Sequence, residues 1–303
     1  MIQSPLNYTG GKFKLLPQIL PLFPKEINTF VDLFCGGCNV GINVDANRVI
    51  YNDIDRNLLY IYQTFKILGK DVIKELIYEI IDKYNLSLVS KYGYDYYGCE
   101  SGKGLGNYNR EKFLKLRDDF NHNTNEDHYY YVLLYVMIVY AFNNQIRFNA
   151  KGKFNLPVGK RDFNKNMEEK LENFIDKIEE QDCKFTCIDF REFDIETLTE
   201  NDFVYIDPPY LITCATYNEQ GGWSENDEKD LLNFLDSLHN RNIRFALSNV
   251  LRSKGKENNI LIEWLEKNKE RYKTINLNYS YSNSNYQTKD KTSSSEEVLI
   301  INY

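Results

Sequence analysis

Residues 202–210 read DFVYIDPPY, an apolar and aromatic run that drives into an acid, two consecutive prolines and a tyrosine. Branched and aromatic residues of this kind predict a buried strand. A strand pairs through backbone N–H donors, and proline has none, so the ladder must stop after Asp207. The strand therefore ends on a carboxylate followed by carbonyls without competing amide donors, a construction suited to holding a ligand.

Working outward, TFVDLF (29–34), RVIYND (48–53), KFTCID (184–189) and RFALSN (244–249) are similar short runs, each closed by a turn signal. Between the last two strands, SENDEKDLLNFLDSLHN (224–240) predicts a helix capped by Ser224, with Leu231, Phe234, Leu235 and Leu238 on one face. NILIEWLEKNK (259–269) repeats that spacing, and TINLNYSYS (274–282) and EEVLIINY (296–303) read as two strands joined by a polar loop, 283–295. Alternation of this kind specifies an α/β fold with a doubly wound, mostly parallel sheet.

The stretch from about Arg56 to Lys160 breaks the rhythm. Val72, Ile73, Leu76, Ile77, Ile80, Ile81 and Tyr84 form one stripe of an amphipathic helix over 71–84. A glycine- and tyrosine-rich loop (92–108) leads to REKFLKLRDDF (110–120) and to HYYYVLLYVMIVYAF (128–142), too short and too rich in tyrosine for a membrane span and read as a buried helix. IRFNAKGKFNLP (146–157) predicts a hairpin turning at Gly152. The expected organisation is a catalytic domain of residues 1–56 and 161–303, with a mainly helical recognition domain, residues 57–160, inserted in it.

The 303 residues carry a net charge of −7, which taken alone disfavours an anionic partner. The charge is segregated, however. Residues 143–165 hold Arg147, Lys151, Lys153, Lys160, Arg161 and Lys165 against Asp162 alone, while acids crowd from Glu168 to Asp202. That distribution is compatible with a nucleic-acid footprint on one side. The opening residues lack the order of a secretory signal, and the six cysteines read as reduced thiols, both pointing to a cytoplasmic protein. Cys35-x-x-Cys38 and Cys183-x-x-x-Cys187 raise the question of a zinc site or redox pair, but small residues in glycine-rich loops serve packing, and no metal is expected.

VDLFCGGCNVG (31–41) sets Gly36, Gly37 and Gly41 immediately after a strand, where backbone must turn tightly and approach a ligand. Cys38 occupies the second glycine slot of a dinucleotide fingerprint, which disfavours pyrophosphate. About a dozen residues on, Asp53 ends the next strand and can take both hydroxyls of a ribose. A nucleoside cofactor without a diphosphate fits, and S-adenosylmethionine has that form. An adenine amine is a poor nucleophile because its lone pair is delocalised, and two acceptors encourage it to become tetrahedral. Asp207 and the Pro208 carbonyl can supply them, with Pro209 holding the turn and Tyr210 offering a ring for stacking. Methylation of a cytosine carbon would call for a cysteine after a proline, and none is present.

These residues resemble the Dam-like family of DNA adenine-N6 methyltransferases (class alpha, D12 class). LNYTGGKFKLLPQI, FVDLFCGGCNVG, YNDID, FNNQIRFNAKGKFNLPVG, DPPY and LSN match its motifs in order, over nearly the whole chain. The resemblance implies a Rossmann-like class I fold, S-adenosylmethionine as cofactor and double-stranded DNA as partner. It implies that Tyr8, Gly11, Lys12, Phe34, Gly36, Asp53, Asp189, Phe190 and Asp207 bind the cofactor. It further implies that Arg147 reads a guanine edge, that Phe142 and Asn143 fill the gap left by an extruded base, and that Asn149, Lys151 and Lys153 lie along the DNA. GATC is the target so implied, and a cognate restriction endonuclease is among the implied partners. The alternatives are cytosine-N4 methylation, methylation of an RNA base, and a silent DNA-binding relative. A silent relative would have no use for Asp53 and Asp207.

Overall fold

The computed structural model describes residues 1–8, 10–100, 102–213, 222–278 and 295–303. Cys214 and nearly all of the expected 283–295 loop lie outside the described residues. The chain forms two compact units. One comprises residues 12–35, 44–54 and 186–303, the other residues 1–11, 36–43 and 55–185. The second unit takes in the glycine turn and the stretch 161–185, which the expected boundaries left with the sheet.

The strands are β1 (Thr29–Asp32), β2 (Arg48–Asn52), β3 (Cys183–Thr186), β4 (Phe203–Ile206), β5 (Arg244–Ser253), the two-residue β6 (Lys256–Glu257), β7 (Lys273–Leu277) and β8 (Glu296–Ile301). They form one sheet in the order β3-β2-β1-β4-β5-β8-β7, with β6 paired to β5. The central pairs are parallel, Val31 lying opposite Ile50 on one side and Val204 on the other, and Val204 opposite Phe245. β8 returns antiparallel to both β5 and β7. The fold is thus α/β and mostly parallel, as the alternation implied.

Strand order reverses between β1 and β4. Their carboxyl ends therefore adjoin at a switch point, the place where open α/β sheets accept ligands. β4 stops at Ile206, immediately before Asp207 and the prolines, and the last link across the pair is Leu33 N–H to the Tyr205 carbonyl, 3.0 Å.

Alternation along the strands gives the sheet two apolar faces. On one, Val31, Leu33, Val204, Ile206, Phe245 and Leu247 pack with Leu231, Leu235 and Leu238 of α7 (Glu225–Asn240) and Leu261 of α8 (Asn259–Lys267). Ser224 starts α7 with a capping box to Asp227, so both groups satisfy otherwise orphaned donors. On the other face Phe30, Phe203 and Tyr205 meet Phe23, which follows α1 (Leu16–Ile19), with ring centroids 4.8–5.9 Å apart.

In the second unit, α2 (Arg56–Lys83) is capped by Asp55 and broken at Gly69, whose φ of +75° leaves the helical region. The stripe over 71–84 is its second half. α2 packs on α5 (His128–Tyr140) through Phe65 and Tyr135, with centroids 5.2 Å apart, and on α6 (Lys165–Glu180) through Tyr62 and Phe174, 5.3 Å apart. Every residue from Tyr131 to Tyr140 is buried, which accounts for the unbroken apolar run. α6 was not foreseen, although Leu171, Phe174, Ile175 and Ile178 carry the helical spacing within the acidic run. α3 (Val89–Tyr96) and the start of α4 (Gly106–His122) replace both ends of the expected loop 92–108. No helix among the described residues is long and apolar enough to cross a membrane.

The hairpin is present. Phe148 faces Phe154, Asn149 N–H donates to the Lys153 carbonyl and Asn155 N–H to the Arg147 carbonyl. Asn121 of α4 grips both backbone groups of Phe154, and Arg117 donates to the Leu156 carbonyl, so one side of the hairpin is tied to the helix. At its base Gly159 N–H donates to the Tyr140 carbonyl at 2.7 Å, and a Cβ at Gly159 would collide with the Ala141 carbonyl oxygen. Backbone cannot yield there as a side chain does. Gly159→Ala should destabilise this unit by about 1–3 kcal/mol, read as a lower urea midpoint, whereas Gly152→Ala at the open turn tip should cost less than about 1.5 kcal/mol.

Candidate active site and nucleic-acid interface

Within the sheet unit, the end of β4 collects three of the expected residues. Lys12 Nζ lies 2.9 Å from Asp207 Oδ1, and the Tyr210 hydroxyl donates to the same oxygen at 2.9 Å. The lysine ammonium also sits 4.9 Å from the centroid of the Tyr210 ring. Lys12 is 5 % exposed, whereas the Asp207 side chain keeps 18 % of its surface in solvent. A buried ammonium needs a counter-charge, and the half-open carboxylate supplies one while remaining accessible. Pro208 is buried and Pro209 exposed, as a turn leaving the sheet edge requires. Beneath them the Tyr205 hydroxyl meets Ser248 at 2.7 Å, and burial, reinforced by the charge of Asp207, lifts its phenol far above the ordinary range.

The same unit holds an aromatic group. Phe34 and Phe190 have centroids 5.5 Å apart, and Trp223 lies 5.8 Å from each. Trp223 Nε1 donates to Glu228 at 2.6 Å, and Glu228, wholly buried, also accepts from Asn258 and Asn249. Burial pushes the Glu228 carboxyl up, against the opposing pull of these three donors. Asn52, at the end of β2, donates from Nδ2 to the carbonyls of Leu33 and Ile188 at 3.0 Å each, and its Oδ1 accepts from Thr186 Oγ1 and Ile188 N–H. One side chain therefore fixes the exits of β1 and β3, which carry Phe34 and Asp189, beside its own neighbour Asp53. Asp53 is buried at the strand end, and its N–H donates to the Thr186 carbonyl. Asp189 caps the turn that follows it, accepting from Arg191 N–H, and Arg191 in turn spans Asp189, Asp227 and Asp230.

The remaining cofactor candidates belong to the other unit. Gly36 has φ +43°, and a Cβ there would stand 2.7 Å from the Tyr8 ring. Gly11 N–H donates to the Tyr8 carbonyl at 3.2 Å, and the Tyr62 hydroxyl donates to the Gly36 carbonyl at 3.1 Å. The glycines are thus required by the close approach of Tyr8, and Cys35 and Cys38 are buried packing residues of the turn. Cys183 Sγ accepts from Lys66 Nζ at 3.0 Å. No group of three potential metal ligands occurs among the described residues.

In the same unit the hairpin presents a basic surface. Arg147, Lys151, Lys153, Lys160, Arg161 and Lys165 are exposed, while Asp162, the lone acid of that segment, is turned inward to accept from Val89 N–H and Ser87 Oγ. Asn155 Oδ1 takes Arg147 Nε at 2.7 Å and orients the guanidinium. Phe142 is 48 % exposed, and Asn143 follows it at φ +55° with its carbonyl accepting from Asn7 Nδ2. Asn149 is committed to the turn, its Oδ1 accepting from the N–H groups of Lys151 and Lys153. The sequence reading assigns no role to Trp223, Glu228, Asn52 or Glu297. Only its place as a tryptophan immediately before the Ser224 cap of a helix could have raised the first of them.

Comparison with known proteins places these features in one context. The model of the D12 class N6 adenine-specific DNA methyltransferases matches residues 8–283. The chain is 42 % identical to "Modification methylase StsI" of Streptococcus sanguinis over 311 residues, and 41 % identical to "Type II methyltransferase M.FokI" of Planomicrobium okeanokoites over 308, each alignment covering all of this chain and 43 % of the relative. The chain thus spans less than half the length of those two. It is 26 % identical to "DNA adenine methylase" of Escherichia coli K12, over 80 % of this chain and 79 % of that protein.

The raised Glu228 carboxyl gives a signed expectation. Its folded-state proton affinity exceeds the unfolded one, so its contribution to stability is complete below the ordinary glutamate range and is lost as pH rises through the raised folded value. Urea titrations at about pH 7 and about pH 5 should therefore show the stability difference between parent and Glu228→Gln moving in the parent's favour at the lower pH. An unchanged difference would mean that burial does not shift this group.

Proposed function

The chain belongs to the D12 class of N6 adenine-specific DNA methyltransferases, and on that premise we propose that it moves a methyl group from S-adenosylmethionine to N6 of an adenine extruded from duplex DNA. The observation that carries the reading is Asp207, half open at the switch-point end of β4 and oriented by Lys12 and Tyr210. The residues present suit the cofactor. Within the sheet unit Asp53 offers a buried carboxylate for ribose hydroxyls, the Phe34–Phe190 pair an apolar wall for a purine, and Asp189 an acceptor. When bound, S-adenosylmethionine supplies an electrophilic methyl group on sulfur.

The protein's part is to position and to accept. Asp207 and the Pro208 carbonyl accept hydrogen bonds from the two N–H groups of the target amine, which draws its lone pair out of the ring and toward the donor. Tyr210 holds Asp207 by its hydroxyl, so its first task is to orient the carboxylate. In the basic unit, Arg147 held by Asn155 is suited to bidentate contact with a guanine edge, and Phe142 with Asn143 to filling an emptied stack. Lys151 and Lys153 supply phosphate contacts. Residues 57–160 provide the recognition domain in this reading. GATC is the target that the family resemblance implies, and the hairpin is the segment that would set it. The name "Modification methylase" of one relative supports a role in DNA modification, and the reading extends to a cognate restriction endonuclease as partner and to action on DNA in the cytoplasm.

Asp207→Ala should abolish transfer of labelled methyl groups to plasmid DNA and leave duplex binding largely intact; substantial turnover would remove the proposed grip on the amine. Arg147→Ala should cost about 1–3 kcal/mol of discrimination at one base pair. An equal loss on all sequences would assign the arginine to a phosphate instead.

A further inference from the structure

β8 is apolar and buried from Val298 to Ile301, yet it also carries Glu297, whose side chain is 1 % exposed. An ionised carboxylate in such a strand is costly unless a cation lies near it. Lys12 Nζ stands 3.9 Å from Glu297 Oε1 and 2.9 Å from Asp207 Oδ1, so carboxylates from β8 and from the end of β4 converge on one buried ammonium. The opening Lys12 segment is thereby tied to both strands. Tyr205 lies beneath the same charges, its phenol pushed up by burial and by Asp207, Asp32 and Glu297.

A lysine paired with Asp207 alone would largely neutralise the carboxylate and weaken it as an acceptor for a neutral amine. A second carboxylate divides the lysine's charge. We infer that Glu297 is a positioning residue for methyl transfer: it holds Lys12 between two carboxylates, so that Asp207 stays fixed by the ammonium while keeping the acceptor strength that the target amine requires. This inference rests on the proposed role of Asp207. Its signature is a loss in the transfer step with little change in binding, because Glu297 acts only through Lys12.

The test uses the whole chain with unmethylated plasmid DNA and labelled S-adenosylmethionine. Glu297→Gln, close to isosteric, should lower kcat roughly tenfold or more, equivalent to a single decade in the transition-state equation, with KM for cofactor and DNA within about twofold. Glu297→Asp, which keeps the charge but withdraws it, should fall between the two. In a Lys12→Gln background, Glu297→Gln should add little further loss, since its route of action is already cut. Parent-like kcat in Glu297→Gln, or losses from the two sites that simply multiply, would overturn the inference. If Glu297→Gln fails to fold, Glu297→Asp decides, and an unchanged kcat there overturns it. Asp207→Ala in the same assay separates the levels: its retained turnover would sink the reading beneath, whereas an inactive Asp207→Ala beside a parent-like Glu297→Gln would sink this inference alone.

Discussion

Two imino acids in succession end β4, and much of the site follows from that constraint. Without N–H groups, Pro208 and Pro209 cannot extend a ladder that pairs β4 with β1 and β5, so the chain must leave the sheet after Asp207. Because strand order reverses between β1 and β4, the exit lies at the switch point, and the carboxylate is set there by backbone chemistry before any side chain contributes. Lys12 and Tyr210 then fix its orientation, and the neighbouring strand exits bring Phe34, Asp53 and Asp189 to the same edge of the sheet.

Polar groups buried around that edge are organised so that few of them stand alone. Asn52 satisfies four backbone and side-chain partners across two strand exits, and Glu228 gathers one tryptophan and two asparagine donors beneath the aromatic group. Such networks are costly when half made, and complete ones rigidify what they touch. The electrostatics follow the same logic in the basic unit, where Asp162 is spent inside on the start of α3 and the exposed ionisable groups of 143–165 are all positive. A chain with net charge −7 can therefore offer DNA a positive face.

The parts legible in the sequence were those encoded by local pattern. The continuously buried strands, read as short apolar runs, the Ser224 cap, the Gly152 turn and the proline stop each depend on neighbours within a few residues, and each stands close to where it was read. α6 was missed because glutamates outnumber the four residues of its buried stripe, and the 92–108 loop was overextended because glycines at 93 and 98 mask short helical turns. Asn52 and Glu297 lay beyond reach for a different reason. Their partners are far away along the chain, as Lys12 is from Glu297 or Asn52 from Ile188, so a single sequence offers no sign that they meet. Asn149 carries a structural task that the resemblance did not imply: its side-chain oxygen builds the turn that displays the basic residues.

The central claim is that Asp207 and the Pro208 carbonyl together hold the target amine. A crystal structure of the protein with duplex DNA and a non-reactive analogue of the cofactor tests it most directly. The account predicts an adenine outside the helix with its N6 within hydrogen-bonding distance of both acceptors, about 2.7–3.2 Å. An extruded base whose amine meets neither group, or a base still stacked while bound in a reactive complex, would contradict it.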